Sequence, residues 1–359
     1  MEPTLVPLPR GGKHSVLNLD RYWYVACQSA ELKRGKVLPR TVLGLPLALF
    51  RNQGGAVGAV LDRCPHRNVP LSGGRVVGDN LECPYHGWQF DPMGVCKRVP
   101  GHCGEHEHPS RDATRLATRE QDGFVWVWTR PGEEPEGEPF RLGGQEPGYT
   151  TVRKSVVFPG SLHQSIENAL DVPHTAFLHR GLFRGTGTTN KITGVITRTA
   201  TMVQAQYVGE PRPGGLAARL LAPGGGEVEH WDRFHMPCVA EVEYKLGDDL
   251  HFLVTSLMTP ESDFVTRAHA VVTFKLRLPG WLIKPLIFPI AMRVFKQDAV
   301  ILGKQTEVIK QFGGEKFVST EIDLLGGQIW RLMRRGAKGR AASEVEVDDD
   351  YRAEVQLDV

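Results

Sequence analysis

Residues 64–88 read CPHRNVPLSGGRVVGDNLECPYHGW, in which Cys64-Pro65-His66 is followed, after sixteen residues, by Cys83-Pro84-Tyr85-His86-Gly87-Trp88. Each of two short loops thus offers one thiolate and one imidazole. Gly73-Gly74 and Gly78-Asp79-Asn80, between them, carry the turn chemistry that lets the chain reverse and bring Cys83 back toward Cys64. Two Cys and two His on facing loops are ligation for a metal centre.

Ligand order identifies the metal. Structural zinc sites usually keep the two Cys together and the two His together in sequence, whereas here each loop carries one of each. If the loops meet over two irons, the Cys of each can hold one iron and the His of each the other, which is the split of a Rieske [2Fe-2S] centre. Pro65 and Pro84 stiffen the loops, and Gly87 permits close backbone approach to a buried sulfide. The stretch closely resembles the Rieske motif, with zinc as the competing reading.

A chain of 359 residues exceeds the usual size of a single core, so two domains are expected. Lys plus Arg number 43 against 41 Asp plus Glu, a net charge of +2 that predicts neither nucleic-acid nor membrane-surface binding. Cysteines at 27, 64, 83, 96, 103 and 238 make no disulfide framework, and a reducing, cytoplasmic setting is expected. The opening MEPTLVPLPRGGKH has no apolar stretch of signal-peptide type. The most apolar run, Leu278 to Val294, is interrupted by Lys284, Pro285 and Pro289 and falls short of the roughly 20 residues a membrane span needs. It reads as a buried or pocket-lining segment.

From Tyr22 to Arg130 short β-prone runs alternate with turns, indicating a small all-β domain with both ligand loops at its tips. His102, Cys103, His106 and His108 form a further cluster, read as a polar surface loop because no C-x-x-C pair accompanies it. Residues 131–148, dense in Pro, Gly and Glu, read as a linker. Domains are accordingly expected at 1–140 and 141–345, with 346–359 an acidic, poorly ordered tail. The second domain combines a helical stretch at 162–183, consecutive alternating segments that imply an antiparallel sheet, and helical character from about Pro285 to Phe312. The class is α+β. A last amphipathic helix with Ile322, Leu325, Ile329, Trp330 and Met333 on one face precedes Arg331, Arg334, Arg335, Lys338 and Arg340, which read as a solvated basic face.

Asn168, Asp171, His174 and His179 form N-x2-D-x2-H-x4-H. Two imidazoles and a carboxylate can hold mononuclear Fe(II) and leave positions open for dioxygen. Residues five apart on an unbroken helix point about 140° away from each other, so His174 and His179 share an ion only if the helix ends between them. Pro173 favours a fresh start with Asp171 as N-cap, and Arg180-Gly181 a stop. The alternative is a capped, exposed helix with ordinary polar histidines.

Taken together, the two motifs resemble those of the Rieske non-haem iron oxygenases, the terminal components of multicomponent systems. The resemblance covers most of the chain and implies an N-terminal all-β Rieske domain followed by a helix-grip catalytic domain. It implies cluster ligands Cys64, His66, Cys83 and His86 and iron ligands His174, His179 and an acidic residue late in the chain. FKQDAVILGKQ points to Asp298, with Glu307 the runner-up. Asp171 would bridge His174 to His86 of a neighbouring subunit in a head-to-tail homotrimer, and Asn168 would stand near the iron.

No dinucleotide fingerprint and no plant-type ferredoxin spacing occur, so electrons must come from a ferredoxin, a ferredoxin reductase or both, drawing on NAD(P)H. The implied reaction uses O2 to hydroxylate or oxidatively demethylate a hydrophobic small molecule. Chain length favours a monooxygenase; cis-dihydroxylation, desaturation and a bare Rieske electron carrier are the alternatives. Apolar pocket candidates are Phe177, Leu178, Phe234, Met236, Phe252, Leu257 and the Trp281 to Ile290 run. The purified protein should absorb visible light, which a zinc protein would not, and Cys64→Ser should abolish the colour.

Overall fold

The computed structural model describes residues 15–179, 191–210, 228–247, 250–276, 280–338 and 351–358. In the N-terminal part eleven short strands are found among the described residues. They are β1 Trp23–Gln28, β2 Val37–Val42, β3 Leu45–Arg51, β4 Val57–Leu61, β5 Arg75–Val77, β6 Asn80–Glu82, β7 Gln89–Phe90, β8 Cys96–Arg98, β9 Arg115–Leu116, β10 Thr118–Gln121 and β11 Phe124–Trp128. They form three antiparallel sheets in the orders β1-β11-β10, β2-β3-β4-β9 and β5-β6-β7-β8. One core of this part, with Phe50, Val60, Leu71, Leu81 and Phe90, is shared with Cys64, Cys83 and Cys96.

The segment read as a linker has no strand or helix, yet it is tied to the first sheet. Trp23 Nε1–H donates to the Gly137 carbonyl at 3.1 Å, and Gln121 Nε2 to that of Phe140 at 3.0 Å.

Eight strands build the sheet of the C-terminal part: β12 Thr150–Phe158, β13 Lys191–Arg198, β14 Met202–Val208, β15 Val228–His235, β16 Val239–Leu246, β17 Leu250–Ser262, β18 Val265–Lys275 and β19 Tyr351–Asp358. Their order is β12-β18-β17-β16-β15-β14-β13-β19, antiparallel throughout. Four helices accompany it among the described residues: α1 Leu162–Leu170, α2 His174–Leu178, α3 Gly280–Gln311 and α4 Gly326–Gly336. Ser161 caps α1 in a reciprocal capping box with Gln164. In α4, Ile329, Leu332 and Met333 are buried on one face.

Two expectations are corrected here. Residues 351–358 are an edge strand on β13, Lys191 pairing with Asp358 and Arg198 with Tyr351. Ala353, Val355 and Leu357 alternate with polar residues, so one face closes on the sheet and Leu357 is 2% exposed; the acidic composition upstream masked that period. The acidic run 344–350, Arg180-Gly181 and residues 248–249 lie outside the described residues. Secondly, the apolar run expected to be buried forms the first half of α3 with Trp281, Leu282, Phe288 and Ile290 exposed, Ile283 alone of the described apolar residues at 281–290 being buried.

On the helix-bearing side of the sheet, His230 is fully buried between the rings of Tyr207 and Tyr244, at 4.5 and 4.0 Å. Its Nδ1 lies 2.6 Å from Glu210 Oε2 and its Nε2 3.1 Å from Asp232 Oδ1. Burial disfavours the imidazolium, but Asp232 and Glu210 outweigh it and raise the pKa to about 9. The folded pKa exceeds the unfolded value, so this stabilisation is complete below the unfolded pKa of about 6.5 and lost as pH rises through about 9. It is on the order of 3 kcal/mol. Urea unfolding at pH 6 and pH 9.5 should show that drop in the native chain and a much smaller one in His230→Gln.

Candidate functional site: two metal-ligating constellations

The two Cys loops are built alike. Cys64 N–H donates to the Val69 carbonyl at 2.9 Å while the Cys64 carbonyl accepts from Asn68 N–H at 2.9 Å; Cys83 N–H donates to the Trp88 carbonyl at 2.8 Å while the Cys83 carbonyl accepts from Gly87 N–H at 3.1 Å. Asn68 and Gly87, four residues after each Cys, both take positive φ, 60° and 70°. That backbone demand accounts for a Gly or Asn at the position. Asp62 anchors the first loop by accepting from Ser72 N–H and Oγ–H, each at 2.6 Å. At Gly74 a Cβ would stand 2.1 Å from the Glu82 carbonyl, so the glycine lets the return strand run close beside β6.

The thiols and imidazoles separate by depth. Cys64 and Cys83 are 2% and 3% exposed, whereas His86 is at the surface beside exposed Tyr85 and half-buried His66. The His66 and His86 rings lie 4.6 Å apart, and Trp88 stacks on His66 at 4.8 Å with an interplanar angle of 6°. Burial pushes the Cys64 thiol up to about 11, with Cys83 beside it. The buried Nδ1 of His66 has no hydrogen-bond partner, which leaves the atom available to a ligand. The four side chains do not converge on one point as a zinc tetrahedron demands. Among the described residues the only three-donor set within 4.8 Å is elsewhere. A pair of sulfurs below a pair of imidazoles fits a two-iron cluster.

That other set is His174, His179 and Asp298, one donor atom of each lying within 4.8 Å of the rest. The helix interruption that their spacing demands is present. α1 ends when Asp171 turns extended, at φ −93° and ψ 103°; His174 opens α2 and His179 follows it as a non-helical C-cap, at φ −105° and ψ 35°. The two Nε2 atoms come to 3.2 Å. Asp171 does not N-cap α2, whose N-cap is Pro173. The Asp171 side chain instead approaches His174 Nδ1, its Oδ2 at 3.5 Å, and its carbonyl makes a short hydrogen bond to the same atom.

Asp298 comes from mid-α3. Its Oδ1 lies 3.2 Å from His179 Nε2 and 3.9 Å from His174 Nε2, yet it is buried without a well-formed hydrogen bond. Burial raises the Asp298 pKa, and His179, His174 and Asn168 pull against that rise. Burial likewise opposes charging of His174, but Asp171 and Asp298 prevail and raise its pKa. Two imidazoles and a carboxylate crowded together with an orphaned oxygen fit a divalent cation better than any protein-only arrangement. Glu307, the runner-up, is exposed and not in this set.

Gln297 was not singled out from the sequence. Its Oε1 lies 3.0 Å from His179 Nδ1. An Nδ1–H donated to that amide oxygen leaves the Nε2 lone pair for metal, as Asp171 does for His174. Adjacency to Asp298 was the one signal available.

A cavity of about 1020 Å³ adjoins the triad, lined by Asn168, Asp171 and His174 and by apolar side chains that include Phe177, Leu178, Ile301 and Val308. Of the apolar pocket candidates, Phe177 and Leu178 line it; Phe234, Met236, Phe252, Leu257 and the described side chains of the Trp281 to Ile290 run do not. Phe234 and Leu257 belong to the sheet core. Tyr207, from β14, contributes a wall that the periodicity of its strand could not distinguish from core. In the 101–108 loop, His102 and His106 rings lie 5.8 Å apart, but no third donor joins them among the described residues.

Comparison with known proteins agrees with this geometry. Residues 22–109 match the Rieske [2Fe-2S] domain, and residues 159–339 match the vanillate O-demethylase oxygenase C-terminal domain. The chain is 29% identical to the oxygenase component of dicamba O-demethylase of Stenotrophomonas maltophilia, over 67% of this chain and 74% of that protein. It is 30% identical to the oxygenase component of chloroacetanilide N-alkylformylase of Rhizorhabdus wittichii, over 70% and 74%. The crystal structure of dicamba monooxygenase bound to 3,6 dichlorosalicylic acid superposes with a TM-score of 0.75 at 26% identity, covering 89% of this chain and 98% of that one. With a Rieske [2Fe-2S] domain, a His/His/Asp iron site and a catalytic domain of this type, the chain belongs to the Rieske non-haem iron oxygenases as a terminal oxygenase component.

Proposed function

We propose that this oxygenase is a monooxygenase that oxidatively removes a methyl or small alkyl group from a hydrophobic small molecule. The observation that carries the reading is the convergence of His174, His179 and Asp298, with His174 opening onto a large, predominantly apolar cavity. The two relatives named above are, by name, an O-demethylase and an N-alkylformylase. For a methyl ether the balance is one O2, two electrons and two protons: one oxygen enters a C–H bond to give R–O–CH2OH, the other leaves as water. The hemiacetal then releases formaldehyde and R–OH.

In this reading Cys64, His66, Cys83 and His86 hold the cluster and His174, His179 and Asp298 hold the iron. When bound, the cluster would supply single electrons and the iron would provide the site for dioxygen chemistry. Asp171 and Gln297 orient the two imidazoles, and Asn168, half-buried on the cavity wall, braces Asp298. Apolar walls exclude water from the reacting carbon.

His86 is exposed and Asp171 is only half-buried, with its carboxylate already against His174. These features support a head-to-tail homotrimer in which Asp171 also meets His86 of the partner subunit, linking cluster to iron across the interface. A ferredoxin, a ferredoxin reductase or both would deliver electrons from NAD(P)H. No helix among the described residues is long and apolar enough to cross a membrane, and the unpaired cysteines accord with a reducing cytoplasm.

The direct test is oxygen uptake with a surrogate reductase across methoxy-aromatic, N-alkyl, sterol and polyketide-like compounds, with formaldehyde assayed as co-product. Uptake matched by a hydroxylated or cis-diol product without formaldehyde would favour simple hydroxylation or dihydroxylation. Asp171→Asn should keep about three irons per chain yet slow oxidation of the reduced cluster by at least about a hundredfold, read by stopped-flow absorbance. Gln297→Leu should weaken iron binding at the triad about 10- to 100-fold while leaving the visible spectrum of the cluster unchanged.

A further inference from the structure

The first half of α3 is apolar on the side that faces away from the protein. Ile283 is buried against Val152, Val272 and Phe274, so the inward direction of the helix is fixed there. At 100° per residue, Trp281, Pro285 and Phe288 stand on the opposite side. Trp281 is 73% exposed, and Leu282, Phe288 and Ile290 are exposed with it. A helix apolar on both sides is normally enclosed, and nothing among the described residues of this chain encloses it.

The charges on this half of the helix have one sign. From Gly280 to Gln297 the sequence holds no Asp or Glu, while it holds Lys284, Arg293 and Lys296. Lys284, Arg293 and Lys296 are exposed and form no ion pair among the described residues. Strand β12, on which the helix lies, adds exposed Lys154. The near-neutral net charge of the whole chain conceals this local excess.

We infer that the Gly280–Lys296 half of α3 docks on the surface of an anionic lipid bilayer, lying in the plane of the headgroups. Trp281 and Phe288, with Leu282 at their flank, enter the boundary with the acyl chains, and Lys284, Arg293 and Lys296 meet lipid phosphates. The length and the prolines exclude a span, but a helix in the plane of the surface needs only an apolar outward side, its inner side here being held by the protein. Trp at such a boundary and Lys or Arg beside it are the residue types the headgroup region accepts best. The same helix lines the catalytic cavity further along, through Ile301, Gln305 and Val308, so docking would hold the cavity near a reservoir of apolar molecules.

The test is co-sedimentation of the full-length, iron-loaded protein with vesicles of phosphatidylcholine and of phosphatidylcholine containing phosphatidylglycerol. Binding should be at least about tenfold stronger to the anionic vesicles and should weaken with salt. Trp281→Ser combined with Phe288→Ser should lose binding to both, whereas Lys284→Glu combined with Arg293→Glu should lose the preference for phosphatidylglycerol. All four positions are exposed, and an unchanged visible spectrum and thermal midpoint verify that each variant is folded. Absence of vesicle binding by the native chain, or binding unaltered in both variants, overturns the proposal. So does a native oligomer that Trp281→Ser with Phe288→Ser dissociates while vesicles remain unbound, because the face would then be covered by a second copy.

Discussion

Three ligand atoms within 4.8 Å of one another, from side chains on two distant segments, are the constraint around which the catalytic half is arranged. A regular helix would turn His174 and His179 apart, so the chain abandons helix twice within nine residues, at Asp171 and again at His179. Val172 precedes a proline, which biases it away from helical backbone at the first break. The third donor arrives on a helix of 32 residues, roughly 48 Å at 1.5 Å per residue, whose buried stretch around Leu302 and Ile309 packs into the core. Without a cation the arrangement is costly: a buried carboxylate oxygen lacks a partner on one side, a penalty on the order of 1–3 kcal/mol. The fold meets that cost through packing elsewhere, as sites built for ligands commonly do.

The cluster loops solve a different problem with one device used twice. Each closes on its own cysteine through a pair of backbone hydrogen bonds and a left-handed residue four positions on. The repeated turn buries both sulfurs at the same level, while the imidazoles fall at unequal offsets, two and three residues after Cys64 and Cys83. Trp88 packs flat on His66, whereas His86, with Tyr85 at 3.9 Å and the edge-on His66 ring at 4.6 Å, stays exposed. One imidazole is thus walled in and the other is presented outward.

What could be read from the sequence was whatever a few neighbouring residues specify by themselves. Ligand order at Cys64 to His86 and the five-residue spacing of His174 and His179 are local facts with one or two geometric solutions, and the helix does break between Asp171 and His179 as that spacing requires. Asp298 was reachable only through family order, since an Asp in a helical run looks the same whether solvated or metal-facing. Gln297 and Tyr207 were invisible for the same reason: their partners, His179 and the cavity, are set by tertiary packing. Two misreadings came from composition standing in for pattern. The acidity near the C-terminus hid the alternation of Ala353, Val355 and Leu357 that makes β19, and the greasiness of residues 281–290 suggested burial that only Ile283 fulfils.

The two halves of α3 differ in a way that follows from their tasks. Pro285 and Pro289 each remove a backbone donor from the first half, where the helix lies against β12 and tolerates bending. From Arg293 to Gln311 there is no proline, and the one glycine, Gly303, sits where a Cβ would come to 3.1 Å from Pro159. Stiffness is therefore concentrated in the part that must hold Asp298 against two histidines to within a few tenths of an ångström. An apolar outward face on the looser half contributes nothing to that positioning. Several large side chains left in water gain no burial energy from the folded chain, so the stabilising use of that face has to lie in something the chain meets after it has folded.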